Sequence, residues 1–170
     1  KDENVYITLA TPDESIRQYN ALAKVQRDWQ SRGQGGEQMF APWDITRDSQ
    51  GNLYVSDGFN HRVLKFQDTG KFIGAIGKPG IGDGEIILPT GVAVDHRDNL
   101  YMVDTGNLRI QKFDANGKFL YRLGGIKLPQ NIVGNVNKTI SFILDKSEFV
   151  FPVDVAVDRQ DNLYVADLAK

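Results

Sequence analysis

Cysteine is absent from the 170 residues, and histidine occurs only at His61 and His96. Without cysteine there is no disulfide, no thiolate metal site and no Cys–His nucleophile pair. Two scattered histidines assemble no Ser–His–Asp set either. No stretch approaches the roughly 18 consecutive apolar residues that a membrane-spanning helix needs. An excess of charge is missing too: 20 Lys and Arg stand against 22 Asp and Glu, a formal net charge of −2. Such a balance supplies no overall field to draw the chain to phosphate backbones or anionic lipid. What is present is an ordinary apolar content, 41%, enough for a globular core.

The informative feature is an internal repeat. A shift of 47 residues lays Pro42 on Pro89, Asn52-Leu53-Tyr54 on Asn99-Leu100-Tyr101, Asp57 on Asp104 and Arg62 on Arg109. The same shift lays Lys65-Phe66 on Lys112-Phe113 and Gly70-Lys71-Phe72 on Gly117-Lys118-Phe119, with no gap. A further shift of 63 residues lays Pro89 on Pro152, Ala93-Val94-Asp95 on Ala156-Val157-Asp158 and Asn99-Leu100-Tyr101 on Asn162-Leu163-Tyr164. The third copy therefore follows a longer connection, read as an elaborated loop around one extra apolar strand at 140–144. Residues 11–14, Thr-Pro-Asp-Glu, spell a helix start, but the repeat outweighs that weak local preference. Tyr19 falls on Phe66 and Lys24 on Lys71 at the 47-residue shift, and Tyr6 falls on Tyr54 at 48. The first 40 residues are thus expected to be a degenerate copy made of strands.

Each regular copy contains four short β-rich runs, at about 43–47, 53–56, 63–66 and 72–76 in the first, separated by Asp, Asn and Gly turn chemistry. Four short strands with tight turns make an antiparallel meander. Such a sheet does not bury both faces alone, so copies stack face to face around a common axis. The expected fold is all-β, a β-propeller with three to four blades represented. The divisions are 1–40 as a degenerate partial blade, 41–87 and 88–125 as blades, 126–150 as a long insertion, and 151–170 as a partial blade.

The pattern Asn-Leu-Tyr-Val-x-Asp, then Asn-x-Arg-Val/Ile-x-x-Phe, then Gly-Lys-Phe resembles the NHL repeat. It runs from Pro42 to Gly77 and from Pro89 to Gly124, with a partial copy from Pro152 to Asp167. The resemblance implies a propeller, usually of six blades. Its members include RNA-binding and protein-binding modules, metal-dependent lyases and many secreted or periplasmic bacterial proteins. An extracytoplasmic location is favoured on that resemblance alone. Thirteen strands are fewer than six blades need, so the expectation is an excerpt of a longer polypeptide, or a chain whose open edges another chain covers.

In such a meander the turn after the second strand lies at the same end as the linker between blades. That face collects the candidate binding residues Trp43, Asp44, Phe59, Asn60, His61, Asn107 and Leu108, with Thr90, Val153 and Asp154 beside them. Exposed aromatics on a propeller face are suitable partner anchors, and Trp43 is equally suited to capping the core. Asp57 with Arg62, and Asp104 with Arg109, recur at one spacing and are read as structural salt bridges within the blade. In the degenerate copy Leu9 and Ser15 replace both partners together. The Asp-rich turns at 48–52, 95–99 and 158–162 lack the twelve-residue calcium loop and are read as hairpin chemistry. The glycine-rich runs at 33–36 and 77–84 precede no helix and are read as turns, not phosphate loops. Asn137-Lys138-Thr139 is a glycosylation sequon by spelling.

The resemblance to metal-dependent amidating lyases implies histidine beside the proline that opens each inner strand. Trp43, Thr90 and Val153 occupy those positions. No catalytic residue, metal ligand or cofactor is assigned. The reading is a non-catalytic binding or scaffold module that docks a protein, peptide or glycan. The alternatives are a lyase or hydrolase with its ligands in other blades, and an RNA-binding NHL domain, which the acidic turns disfavour.

Overall fold

The computed structural model describes residues 4–9, 15–30, 36, 38–125 and 149–168. The described residues form four antiparallel sheets in sequence order. The first holds β1 (Val5–Leu9), β2 (Ser15–Tyr19) and β3 (Val25–Gln30). The second holds β4 (Pro42–Arg47), β5 (Leu53–Asp57), β6 (Arg62–Phe66) and β7 (Phe72–Ile76). In the linker that follows, β8 (Lys78–Pro79) and β9 (Glu85–Ile86) make a short parallel pair that the glycine-rich spelling did not announce. The third sheet holds β10 (Pro89–Val94), β11 (Leu100–Asp104), β12 (Arg109–Phe113) and β13 (Phe119–Gly124). β14 (Pro152–Val157) and β15 (Leu163–Asp167) form the fourth. The strand expected at 140–144, the sequon and the glycine run at 33–35 lie outside the described residues.

Within residues 5–30 the described segments are strands, not a helix. The register shows why β1 is a second strand: Leu9 faces Ser15 as Asp57 faces Arg62 and Asp104 faces Arg109.

The turns between first and second strands fold on one device. Asp48 Oδ1 accepts the backbone N–H groups of Gln50 and Asn52 at 3.0 and 2.7 Å. Asp95 does the same for Arg97 and Asn99, and Asp158 for Gln160 and Asn162. Short acidic side chains that capture the N–H two residues on are natural turn formers.

Strand alternation then divides the core between neighbouring sheets. Leu53 and Val55 of β5 pack toward the first sheet with Ile16 and Leu64. Tyr54, between them, packs the other way with Ile86, Val92, Leu100 and Met102. In β11 the next residues in the alternation, Tyr101 and Val103, turn to Val155 of the fourth sheet. Every residue of β5 and β11 is buried. Burying each large apolar side chain contributes about 1.5–3 kcal/mol, and here both faces of a strand contribute.

Candidate functional site

The inner strands β4, β10 and β14 lie side by side, and each opens on a proline: Pro42, Pro89 and Pro152. Proline has no N–H to give a ladder and is tolerated at a strand's first residue. Immediately after it each inner strand shifts register against its partner, between Pro42 and Ile45, Pro89 and Val92, and Pro152 and Asp154. Bulges of this kind re-aim side chains. These irregularities release Trp43-Asp44, Thr90-Gly91 and Val153 from the ladder, and together with Asp154, which pairs with Ala166, these residues line a recess of about 250 Å³.

Asp44 is fixed in this recess by its neighbours. Its Oδ1 accepts the N–H of Ile45 and its Oδ2 that of Val92 in the next sheet, both at 2.8 Å. Its own N–H donates to Ser56 Oγ, whose hydroxyl in turn donates to the Thr90 carbonyl at 2.6 Å. Burial pushes the Asp44 carboxyl above the ordinary carboxylate range. The two backbone N–H donors oppose that rise, and the charge of Asp154 adds to it. Asp154 is exposed, and its Oδ1 accepts the Val155 N–H at 2.8 Å. Gly91 stands where the other two copies carry aspartate, and a Cβ there would lie 2.6 Å from Asp154 Oδ1. Thr90 Oγ1 sits 2.7 Å from both the Val153 carbonyl and Thr105 Oγ1.

One lining residue of the recess, Trp43, is aromatic, and Gly58, on which it rests, leads into an exposed aromatic pair. Trp43 is half exposed, with its indole laid against Gly58, where a Cβ would be 2.6 Å from Nε1. Phe59, on the turn Gly58–Asn60, stacks at a tilt on Phe40 with ring centroids 5.0 Å apart, and both remain half exposed. Phe40 was not singled out from the sequence. Its signal was available, because the residues before each repeat proline are the linker's entry to this face.

The other candidates are drawn inward to the linkers. His61 Nδ1 accepts the Leu88 N–H at 3.0 Å, and Asn60 Nδ2 donates to the Gln38 carbonyl and to Asp57. Asn107 is buried, donating to the Gly80 carbonyl and to Asp104. Leu108 is half-buried in a left-handed backbone conformation at φ 55°. The structure thus leaves Trp43 and Phe59 half exposed, holds Asp44 in the recess, and turns Asn60, His61 and Asn107 toward the chain itself.

The paired charges hold the linkers as well as the strands. Arg62 Nε lies 2.8 Å from Asp57 Oδ2, and Arg109 Nε lies 2.6 Å from Asp104 Oδ2. The second carboxylate oxygens accept linker N–H groups, from Phe40 at 2.6 Å and Ile87 at 2.7 Å. Arg109 adds donations to the carbonyls of Ile81, Gly82 and Glu85. Among the described residues no three His, Asp or Glu side chains gather as a metal would require.

Three solved structures share this arrangement of sheets. A Bacteroides thetaiotaomicron protein of unknown function aligns with a TM-score of 0.71 at 18% identity, over 97% of this chain and 42% of its own. Virginiamycin B lyase from Staphylococcus aureus aligns with a TM-score of 0.62 at 14% identity, over 97% of this chain and 45% of the lyase. A chain of the nidogen/laminin complex aligns with a TM-score of 0.64 at 14% identity, over 99% of this chain and 54% of that one. The chain therefore spans about half, or less, of the structures it resembles, and at these identities the likeness concerns the fold alone. A comparison with curated proteins gives no match. The model of the family DUF5128, described as a 6-bladed beta-propeller, matches residues 44–167, most of the chain. By sheet architecture and by family match, this chain belongs to that 6-bladed β-propeller family.

Proposed function

We propose that this chain is a non-catalytic binding module of the NHL type, docking a protein or peptide on the face where linkers and second turns meet. The observation that carries the reading is the set of half-exposed aromatics Phe40, Phe59 and Trp43, the first two in ring contact and the third lining the recess. Aromatic side chains offer a large contact area with few rotors to immobilise, which is why they dominate the energetics of partner surfaces. The linkers beneath are tied down through Asp57 and Asp104, so the aromatics rest on fixed backbone and binding meets a small ordering cost. One similar fold, in the nidogen/laminin complex, was solved together with a protein partner.

Selection of displayed random peptides on the full chain tests this. Enriched peptides are expected to lose at least about tenfold in affinity on Phe59→Ala and Trp43→Ala, the loss typical of a central aromatic anchor. Peptides that bind both variants as tightly as the parent chain would move the docking surface elsewhere.

A further inference from the structure

We infer that the recess between the three inner strands receives a basic side chain, arginine or lysine, from the docked peptide. The inference rests on the docking reading above and names the chemistry of its partner.

The argument starts from charge. Asp44 and Asp154 enter the recess from equivalent positions of two copies, and the residue between them in the repeat is Gly91. Neither carboxylate forms an ion pair among the described residues, whereas Asp57, Asp48, Asp104 and Asp95 are held against Arg62, Lys65, Arg109 and Lys112. Among the described residues no Lys or Arg lines the recess. Asp154 Oδ1 accepts one backbone N–H, and its Oδ2 has no protein donor among the described residues. Two carboxylates of like charge that face one opening without a cation repel, and an incoming cation relieves that repulsion.

Shape and wall chemistry narrow the cation. A recess of about 250 Å³ is far larger than a bare metal ion needs, and two carboxylates with no third ligand make a poor cage for one. It matches the dimensions of a long aliphatic stem with a charged head. Trp43 forms one wall, and an indole face favours a guanidinium or ammonium that packs along it. Thr90 and Val153 supply the apolar contact that such a stem makes.

Capped tripeptides Ac-Gly-X-Gly-NH2, with X as Arg, Lys, Gln or Glu, titrated into the isotopically labelled full chain provide the test. The Arg and Lys peptides are expected to shift the Trp43 indole and Gly91 amide resonances saturably. The Gln and Glu peptides should bind at least about tenfold more weakly, since they cannot complement the two carboxylates. Asp154→Asn, at an exposed position that tolerates substitution, should weaken the Arg peptide about three- to tenfold, and added salt should do the same. Equal binding of the Gln and Arg peptides, or an unchanged affinity in a folded Asp154→Asn variant, would overturn the inference. So would a complete absence of shifts at these two residues. Display-selected peptides that depend on Phe59 yet carry no basic residue would sink this inference while leaving the docking module standing. Failure to select any Phe59-dependent peptide would sink both.

Discussion

Arg109 lies wholly inside the protein with its Nε 2.6 Å from Asp104 Oδ2, while its counterpart Arg62 holds Asp57 from a side chain left 21% exposed. The two pairs have one sequence spelling and different surroundings. Removing one partner of a buried pair strands the other charge without solvent, at about 3–5 kcal/mol. Arg109→Met is therefore expected to lower unfolding stability by that order. Arg62→Met removes a side chain that already meets solvent, and should cost less, about 1–2 kcal/mol, although Asp57 itself is buried. Urea denaturation of the two variants checks this, and equal losses would show that burial does not separate them.

Gly91 and Gly74 give opposite expectations for the same substitution. A Cβ on Gly91 would meet the Asp154 backbone Cα at 2.7 Å and the Val155 nitrogen at 3.0 Å, whereas a Cβ on Gly74 meets nothing within 4 Å. Gly91→Ala should destabilise by about 1–3 kcal/mol, because backbone cannot give way as a flexible side chain would. Gly74→Ala should be neutral or stabilising by about 0.4–1 kcal/mol through loss of unfolded-chain freedom. Thermal unfolding of both variants decides it, and a stable Gly91→Ala would mean that β10 and β14 are not in close contact.

Ser15 occupies the position of the arginines in the regular copies, and its buried hydroxyl has no hydrogen-bond partner among the described residues. An unsatisfied buried hydroxyl is a desolvation cost with no return. Ser15→Ala is expected to leave stability unchanged or raise it by about 1 kcal/mol. A loss above that amount, read from the denaturation midpoint, would reveal a role for the hydroxyl.

Acid should weaken the hairpin turns. Burial alone would raise the Asp95 carboxyl, but donors from Asn99, Lys112 and Arg97 outweigh it and hold it below the usual range. The side-chain amide of Asn162 leads the donors that lower Asp158, against a smaller opposing effect of burial. A carboxyl with a depressed folded pKa contributes stability that is fully present above its unfolded value, about 3.9. That contribution is lost as pH falls through the folded value. Denaturation midpoints measured from pH 7 down to about pH 2.5 should fall below pH 4, less steeply in Asp95→Asn. An identical acid slope in that variant would remove Asp95 from the account.

Much of this architecture was legible because copies of one unit report on each other. The 47-residue shift aligned Asp57 and Arg62 with Asp104 and Arg109, and a single copy would not have separated a strand pair from a helix at residues 15–30. What escaped was everything that depends on the space between copies. The linker N–H groups of Phe40 and Ile87 reach the aspartates from residues whose spelling carries no periodicity. His61 looked available for a partner, yet it accepts a hydrogen bond from Leu88, a contact set by how one sheet stacks on the next. Gly91 did carry a signal, as the one inner-strand position where aspartate gives way to glycine, but its meaning is steric and needs the neighbouring Asp154 to be seen.

The hydrogen bonds between sheets have a direction. Thr8 reaches the Trp43 carbonyl, Ser56 that of Thr90, and Thr90 that of Val153, while at the opposite end Ser49 bonds Asp98 and His96 bonds Asp161. The second and third sheets are each stitched at both ends to the next sheet in the chain. A ladder of nearest-neighbour couplings behaves as a row of linked two-state units. A disturbance at one sheet is felt most by the adjoining sheet and fades with each further step. The recess, built from three successive sheets, therefore reads out the integrity of all three at once. Loosening any one of them opens the site before the chain as a whole comes apart.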